Sequence, residues 1–584
     1  AWPAAADDGF LAANLMAESD RSWDEEGVSI SLIPCPARGD DKYLGAVVGL
    51  DDGAVYAIPG TARRVARIAP GTDAVELVGD CGGGFVGNAL QRKRLKWLRG
   101  VAARDEAGRA AVYGIPANAD AVLKVIYATS RAGGRTEIST LKFFDGSRGG
   151  DEDREESEHE RRRLRPPPLT RWQYHGAVAC LDGARIVCVP ACADKVLVIE
   201  PRRGRAVLVA LPKEVSDEDD AKNPASNDAA EKEAEGKFYG GVLGSDGCAY
   251  FVPHNARRVV RFDPGSAASP PNSDAIGPDL GPGGHKYHGG VGVRNGKVIY
   301  CVPSHADQVL KIDVVRQEVS LIGNVETLTS DPGPASKKNR RYRQPGAYKY
   351  GGGVAARDGR FVYLLPYDAR DVLVVDTETD EVRRLDADDE TVVAAESRRD
   401  FLGGNKWQNG AALADGNVYA IPVSAPSVLR IEPPSHTHDH RVSTVGHSAV
   451  ARAAERTGRA DARCDKWEGG VVRPSDGALL AVPQNADFFL KIRAVGDPAK
   501  SGPKPAPEEH RVTDDEAAAA TAAIPDEEAL EEEADDDDVE EEVYGGIRVA
   551  VAARGRLDGD VLDGATDRTG LMVWPARILV AEWL

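Results

Sequence analysis

The stretch Lys286-Tyr-His-Gly-Gly-Val-Gly-Val-Arg-Asn-Gly-Lys-Val-Ile-Tyr-Cys-Val-Pro303 holds two short hydrophobic strands joined by an Asn-Gly turn, between an aromatic and a proline. Asn-Gly readily supplies the positive φ angles of a tight hairpin. The phrase returns as Lys349-Tyr-Gly-Gly-Gly-Val-Ala-Ala-Arg-Asp-Gly-Arg-Phe-Val-Tyr-Leu-Leu-Pro366 and as Lys466-Trp-Glu-Gly-Gly-Val-Val-Arg-Pro-Ser-Asp-Gly-Ala-Leu-Leu-Ala-Val-Pro483. Eight copies run along the chain. Their aromatics are Tyr43, Trp97, Tyr174, Phe238, Tyr287, Tyr350, Trp407 and Trp467, and their prolines are Pro59, Pro116, Pro190, Pro253, Pro303, Pro366, Pro422 and Pro483. Three residues beyond every proline stands Ala (Ala62, Ala119, Ala193, Ala256, Ala306, Ala369, Ala425, Ala486), and a third strand follows, as in Gln308-Val-Leu-Lys-Ile-Asp313. Several copies add a fourth, such as Glu318-Val-Ser-Leu-Ile-Gly323.

One such unit cannot bury its own apolar faces and must stack on its neighbours. Four antiparallel strands per repeat, with no sustained helical period inside the repeats, predict an all-β chain forming an eight-bladed β-propeller, whose closure leaves no long sheet edge exposed. Gly27-Val-Ser-Ile-Ser-Leu-Ile-Pro34, with Ala37 three residues after its proline, reads as a degenerate ninth copy. It is expected to supply a closure strand, the other reading being the remnant of a cut blade. The pattern resembles six- to eight-bladed propellers of the NHL and lactonase-like families. It is similar, more closely, to the aromatic-Gly-Gly repeat proteins of protists and algae.

The chain of 584 residues carries a formal charge of −20, but Asp526–Glu542 alone contributes 13 acidic residues and no basic one, leaving about −7 elsewhere. A near-balanced propeller gives no footprint for nucleic acid. There is no membrane-length apolar run and no leader-like segment. The 8 cysteines lack CxxC or zinc-ribbon spacing. Cys188 and Cys301 share a strand slot that is Ala, Gly, Phe or Leu in other copies, so reduced thiols and an intracellular setting, cytoplasmic or nuclear, are expected.

Residues 1–41 read as an N-terminal segment, 42–497 as the propeller, 498–542 as an acidic disordered linker and 543–584 as the start of another domain. Ala1 in place of Met, and a helical stripe Ile578, Leu579, Ala581, Trp583, Leu584 without a cap, suggest a piece of a longer polypeptide. Charge-blocked insertions occur between copies, one of them carrying the basic cluster Lys337-Lys-Asn-Arg-Arg-Tyr-Arg343, and are read as solvated loops.

Thr569-Gly-Leu-Met-Val-Trp-Pro-Ala576, leading into the helical stripe, resembles the entry to the catalytic domain of seven-strand, S-adenosylmethionine-dependent protein-lysine methyltransferases. The resemblance implies a Gly-rich cofactor loop beyond Leu584 and places Trp574 near the cofactor pocket. It implies no catalytic residue and no cofactor within this stretch, with S-adenosylmethionine bound by the downstream domain if one exists.

Within the repeats, Lys precedes the aromatic at Lys42, Lys96, Lys237, Lys286, Lys349, Lys406 and Lys466, with Gln173 in the third copy. Equivalent slots fall on one side of successive blades, so these lysines form a candidate binding face for phosphate or for an acidic or phosphorylated protein partner. The structural alternative pairs each Lys with an Asp or a turn carbonyl of the adjoining blade. Two residues past each proline stand Thr61, Asn118, Cys192, Asn255, His305, Asp368, Ser424 and Asn485, mostly short polar side chains expected to cap their own turns. His175 and His288 share the slot after the aromatic. His436-Thr-His438-Asp-His440 is the densest metal-capable cluster, though no matched ligands accompany it. The expected function is a monomeric, non-catalytic interaction or scaffold module that holds a protein substrate for a fused methyltransferase. The alternative is a metal-dependent hydrolase or lyase with its site in the propeller channel.

Overall fold

A computed structural model describes residues 22–495, apart from 26, 82–94, 128–135, 144–171, 182, 216–235, 267–268, 283, 326–347, 386–404 and 457–463, together with 539–544 and 547–552. The basic cluster at 337–343, Trp574, the methyltransferase-like phrase and most of the acidic run lie outside the described residues. Val539–Tyr544 and Ile547–Ala552 pair as an antiparallel hairpin, which forms a unit of its own.

Seven four-stranded antiparallel sheets follow one another in chain order, each built from four consecutive strands, and an eighth combines the last three strands of the propeller with two from the N-terminal segment. The last blade consists of Trp467–Arg473, Ala478–Pro483 and Phe488–Ala494. Val28–Pro34 adds to Phe488–Ala494 from Val28↔Ala494 to Pro34↔Phe488, and Ser22–Glu25 forms a fifth strand outside it. The N-terminal segment therefore closes the ring.

Backbone hydrogen bonds complete that ring at every seam. The N–H of the residue before each aromatic donates to the carbonyl of the residue after the preceding blade's proline: Lys42 to Gln484, Lys96 to Gly60, Gln173 to Ala117, Lys237 to Ala191, Lys286 to His254, Lys349 to Ser304, Lys406 to Tyr367 and Lys466 to Val423. The Lys42–Gln484 bond, at 3.1 Å, joins the first blade to the last.

Each aromatic packs into the core between its own blade and the one before. Trp97 lies with Val47, Tyr56 and Ile58 of the first blade, and Tyr43 lies with Val471, Leu480 and Phe489 of the eighth. The indoles are buried without losing their hydrogen bond. Trp97 Nε1 donates to Ala121 O at 2.8 Å, Trp407 to Ser427 O at 2.7 Å and Trp467 to Phe488 O at 2.7 Å, in each case at the third strand of the same blade. Burying a ring of this class removes about 150–250 Å² from water, which is worth about 4–6 kcal/mol at ~25 cal/mol/Å².

On the face of the Asp-Gly turns, several blades clasp themselves. The Asp52 carboxylate accepts the Tyr56 hydroxyl at 2.7 Å and the Arg67 guanidinium at 2.9 Å, and Asp246 accepts Tyr250 and Arg261 in the same way. The fifth blade carries Asn295 at this turn. There Asp380 of the next blade supplies the carboxylate to Tyr300 and Lys311 instead.

One element departs from the repeat pattern. Helix α1 (His447–Arg456) lies between the seventh and eighth copies, and its Ala449, Val450 and Ala453 pack with Val28 and Ile30 of the closing strand. Among the described residues no helix is long and apolar enough to cross a membrane. All eight cysteines are free thiols, seven of them buried, and burial holds the Cys35 and Cys81 thiols up at about 11.

Candidate functional site

The lysines are spent on the seams. Lys96 Nζ donates to Gly60 O at 2.7 Å and Ala62 O at 2.9 Å, Lys286 to Asn255 O at 3.1 Å, Lys349 to His305 O at 3.1 Å and Lys466 to Ala425 O at 3.0 Å. Lys406 donates to Ala369 O. Lys42 turns back to Gly39 O at 2.8 Å. All six of these are buried. Lys237 is half-buried and reaches Ala193 O at 3.2 Å and the Asp194 carboxylate at 3.1 Å. The ammonium groups thus point into blade interfaces, the turn-carbonyl pairing that was the structural alternative. Burial lowers Lys96 to about 8 and Lys466 to about 7.

The slot two past each proline also differs from expectation. Its side chains reach beyond their own turns to link blades. Asn255 Nδ2 donates to Gly236 O of its own blade at 2.8 Å, while its Oδ1 accepts the His285 N–H of the next blade at 2.7 Å. Asn118 bridges Leu95 and Trp172 in the same way, and Asn485 bridges Cys464 and Asp41 across the ring closure. A side-chain amide carries both N–H donors and an acceptor oxygen, so it can hold two blades at once.

The three imidazoles of the His436–His440 run separate. His440 Nδ1 meets the Tyr363 hydroxyl at 3.0 Å and packs edge-on against Phe361, while His438 contacts Asp439 O and His436 is exposed. Among the described residues, no group of three His, Cys, Asp or Glu side chains is placed to hold a metal ion.

What converges instead is a set of rings from neighbouring blades, with His175, His254 and His288 buried among them. Every inner strand carries a bulge after its aromatic: the aromatic pairs with the proline, and pairing resumes three residues on. A bulge leaves a residue unpaired and re-aims its side chain. Positive φ at Gly176, Gly240, Gly289, Gly352 and Asn409 (from 68 to 146°) builds it in blades three to seven. The re-aimed residues in blades three, four and five are His175, Tyr239 and His288. Tyr239 lies between the two imidazoles, with ring centroids 3.8 Å and 3.9 Å away.

His254 adds to this group 5.0 Å from Tyr239, and His285, His305 and Tyr348 continue it at spacings of 4.6–5.2 Å. Tyr367 stands 6.1 Å from His288 over Gly351, where a Cβ would lie 2.6 Å from its ring. Gly351 is therefore needed to make room for the phenol. Trp172 flanks His175 at 6.5 Å. The opposite wall is built differently. Arg99 and Asn409 stand where six blades have glycine, and the Arg99 side chain lies so close to Gly45 and Gly469 that a Cβ at either would come within 2.9 or 3.1 Å of it. Gln408 and Glu468 occupy the re-aimed slot there.

The ring cluster was partly legible in the sequence, since His175 and His288 share a slot. The unread signal was the breaking of the glycine slot by Arg99 and Asn409.

His254 gives the cluster an acid signature. Burial first, then the neighbouring His285, lowers it from 6.5 to about 3, and its Nδ1 bonds Tyr287 O at 2.9 Å. Below pH 6.5 the unfolded chain takes up a proton that the folded chain refuses. Stability from this residue is therefore full above 6.5 and lost as pH falls toward 3. By pH 5 the loss from His254 amounts to about 2 kcal/mol. Urea midpoints at pH 7 and 5 will show this slope, and His254→Gln will flatten it.

No family model matches the chain, and no curated protein matches it. Among solved structures it is similar to a streptogramin B lyase, at 11% identity over 68% of this chain and 97% of that one, with a TM-score of 0.38. It is similar also to a virginiamycin B lyase from Staphylococcus aureus (11%, 68% and 94%, 0.36) and to a candidate 6-phosphogluconolactonase from Bacteroides fragilis NCTC 9343 (12%, 69% and 93%, 0.38). The chain is an eight-bladed β-propeller with a cluster of aromatic and imidazole rings drawn from neighbouring blades. Its own residues, rather than likeness at this level, carry any reading of what it does.

Proposed function

We propose that the propeller is a non-catalytic binding module that takes part of a protein partner at the cluster of His175, Tyr239, His254, His288 and Tyr367. The observation that carries this reading is the convergence of those rings from four consecutive blades, set by bulges and by Gly351. Aromatic side chains offer large, rigid contact area at low entropic cost, which suits a recognition surface. The resemblance of residues 569–576 supports a finer reading, in which the propeller holds a protein substrate for an S-adenosylmethionine-dependent domain encoded 3′ of Leu584; sequencing the transcript tests it.

The binding reading is tested by retention of a purified partner on immobilised wild-type chain and on Tyr239→Ala and Lys237→Ala chains of matched thermal stability. Tyr239→Ala is expected to reduce retention at least tenfold and Lys237→Ala to leave it unchanged. The opposite order would return the binding face to the lysine slots.

A further inference from the structure

We infer that the fifth blade is an acid-released segment of the ring: both of its seams part together in mildly acid medium, while the other seams stay closed. The device needs no partner and goes beyond the binding reading. Its basis is the position of the imidazoles. At the seam between blades four and five, the His254 carbonyl accepts the Lys286 N–H at 2.8 Å, and the His285 N–H donates to Asn255 Oδ1 at 2.7 Å. At the seam between blades five and six, the His305 carbonyl accepts Lys349 Nζ at 3.1 Å. The side chains of these seam residues form one chain of rings. His254 lies 4.6 Å from His285, His285 lies 5.1 Å from His305, and His305 lies 4.6 Å from Tyr348.

His305 also departs from the repeat. The slot two past the proline links blades through the amides of Asn118, Asn255 and Asn485, and through the Asp368 carboxylate, which accepts the Asn405 N–H at 2.7 Å. In blade five the slot holds an imidazole whose Nε2 is buried with no hydrogen-bond partner among the described residues. His254 Nδ1 faces Tyr287 O at 2.9 Å. A carbonyl only accepts, so the neutral ring keeps its proton on Nδ1 and an added proton goes to Nε2.

The surroundings oppose that added proton. Around the pair stand the phenols of Tyr239 and Tyr348, the imidazoles of His285 and His288, and the ammonium groups of Lys286 and Lys349. Carboxylates enter through Asp307, which meets Lys349 Nζ at 3.7 Å, and through Asp368, Asp465 and Glu468, whose charges bear on Tyr367. Burial first, then His285, lowers His254 from 6.5 to about 3 and His305 from 6.5 to about 4. Closed seams therefore refuse two protons that parted seams take up. Their stability is full above pH 6.5 and is lost as pH falls toward 4.

Amide hydrogen exchange of the full chain tests this, read by mass spectrometry at pH 7, 6 and 5 and corrected for the intrinsic pH dependence of exchange. With two protons taken up, protection in peptides carrying Lys286 and Lys349 should fall about fiftyfold between pH 6 and 5, against about eightfold for one proton. Peptides carrying Lys96 and Lys466, at seams without imidazoles, should change less than about twofold. His305→Asn places in blade five the residue that blades two, four and eight carry in this slot. It should keep the fold and cut the fall to about eightfold at both seams. A fall shared equally by all four seams is global unfolding and overturns the inference. A fall of about eightfold or less at the fifth blade of the unmodified chain overturns it too. So does a full fall that persists in His305→Asn.

Discussion

Replacing Ile30 with Asp will open the ring. Ile30 is fully buried, pairs with Ile492 and packs among Leu490, Val450 and Ala453. An unpaired carboxylate there loses about 2–4 kcal/mol of apolar packing and adds the cost of a buried charge. The consequence is more than local, because this strand is the only covalent continuation of the first blade that covers the third strand of the eighth. Urea unfolding should show a midpoint lowered by the equivalent of about 4 kcal/mol or more, and size-exclusion chromatography should show an expanded or self-associating species as the Phe488–Ala494 edge is bared. Ser31→Asp, on the half-buried side of the same strand, should cost less than about 1 kcal/mol. Equal effects of the two substitutions would mean that the N-terminal strand does not close the propeller.

The second large effect concerns the seam lysines, and the chain contains its own control. In the third blade Gln173 takes the Lys slot, and its Nε2 donates to Ala119 O at 2.8 Å, as Lys96 Nζ does to Ala62 O. If the slot needs a donor rather than a charge, Lys96→Gln should be tolerated within about 1 kcal/mol, whereas Lys96→Met strands a buried carbonyl and should cost about 2–3 kcal/mol. A pH scan separates the same two ideas. The folded values of Lys96 and Lys466, about 8 and 7, lie below the 10.5 expected of the unfolded chain. Between those values the unfolded chain binds more protons, so stability rises with pH from about 7 to about 10. Lys466→Met should flatten that rise. A Lys96→Gln chain as unstable as Lys96→Met would show that the positive charge itself holds the seam.

The repeat was legible because the same local rules recur eight times: a hairpin turn that wants positive φ, two strands, a proline at the strand end, a small Ala beyond it. The inner bulges were less so. Gly-Gly after the aromatic announces flexibility, yet pairing across Tyr287 and Pro303 is needed to show that the ladder slips there and turns His288 toward Tyr239. The lysine slot was seen and its pairing with a turn carbonyl of the adjoining blade was one of its two readings, since a charge at a repeating surface position and a donor folded against the preceding blade leave the same trace in one dimension. Helix α1 was missed because it interrupts the repeat between copies. Its Ala449, Val450 and Ala453 stripe is short, and its apolar surface has meaning only against the closing strand.

Local chemistry alone therefore determined the blade, the count of eight and the inter-blade aromatics, because turn, strand and packing preferences are set within about twenty residues. Only the tertiary structure decided that Val28–Pro34 closes the last blade, that the lysines serve the seams, and that rings from four blades meet in one cluster. Those facts depend on contacts between residues up to several hundred positions apart, and a periodic sequence says which slots are equivalent without saying which ones touch.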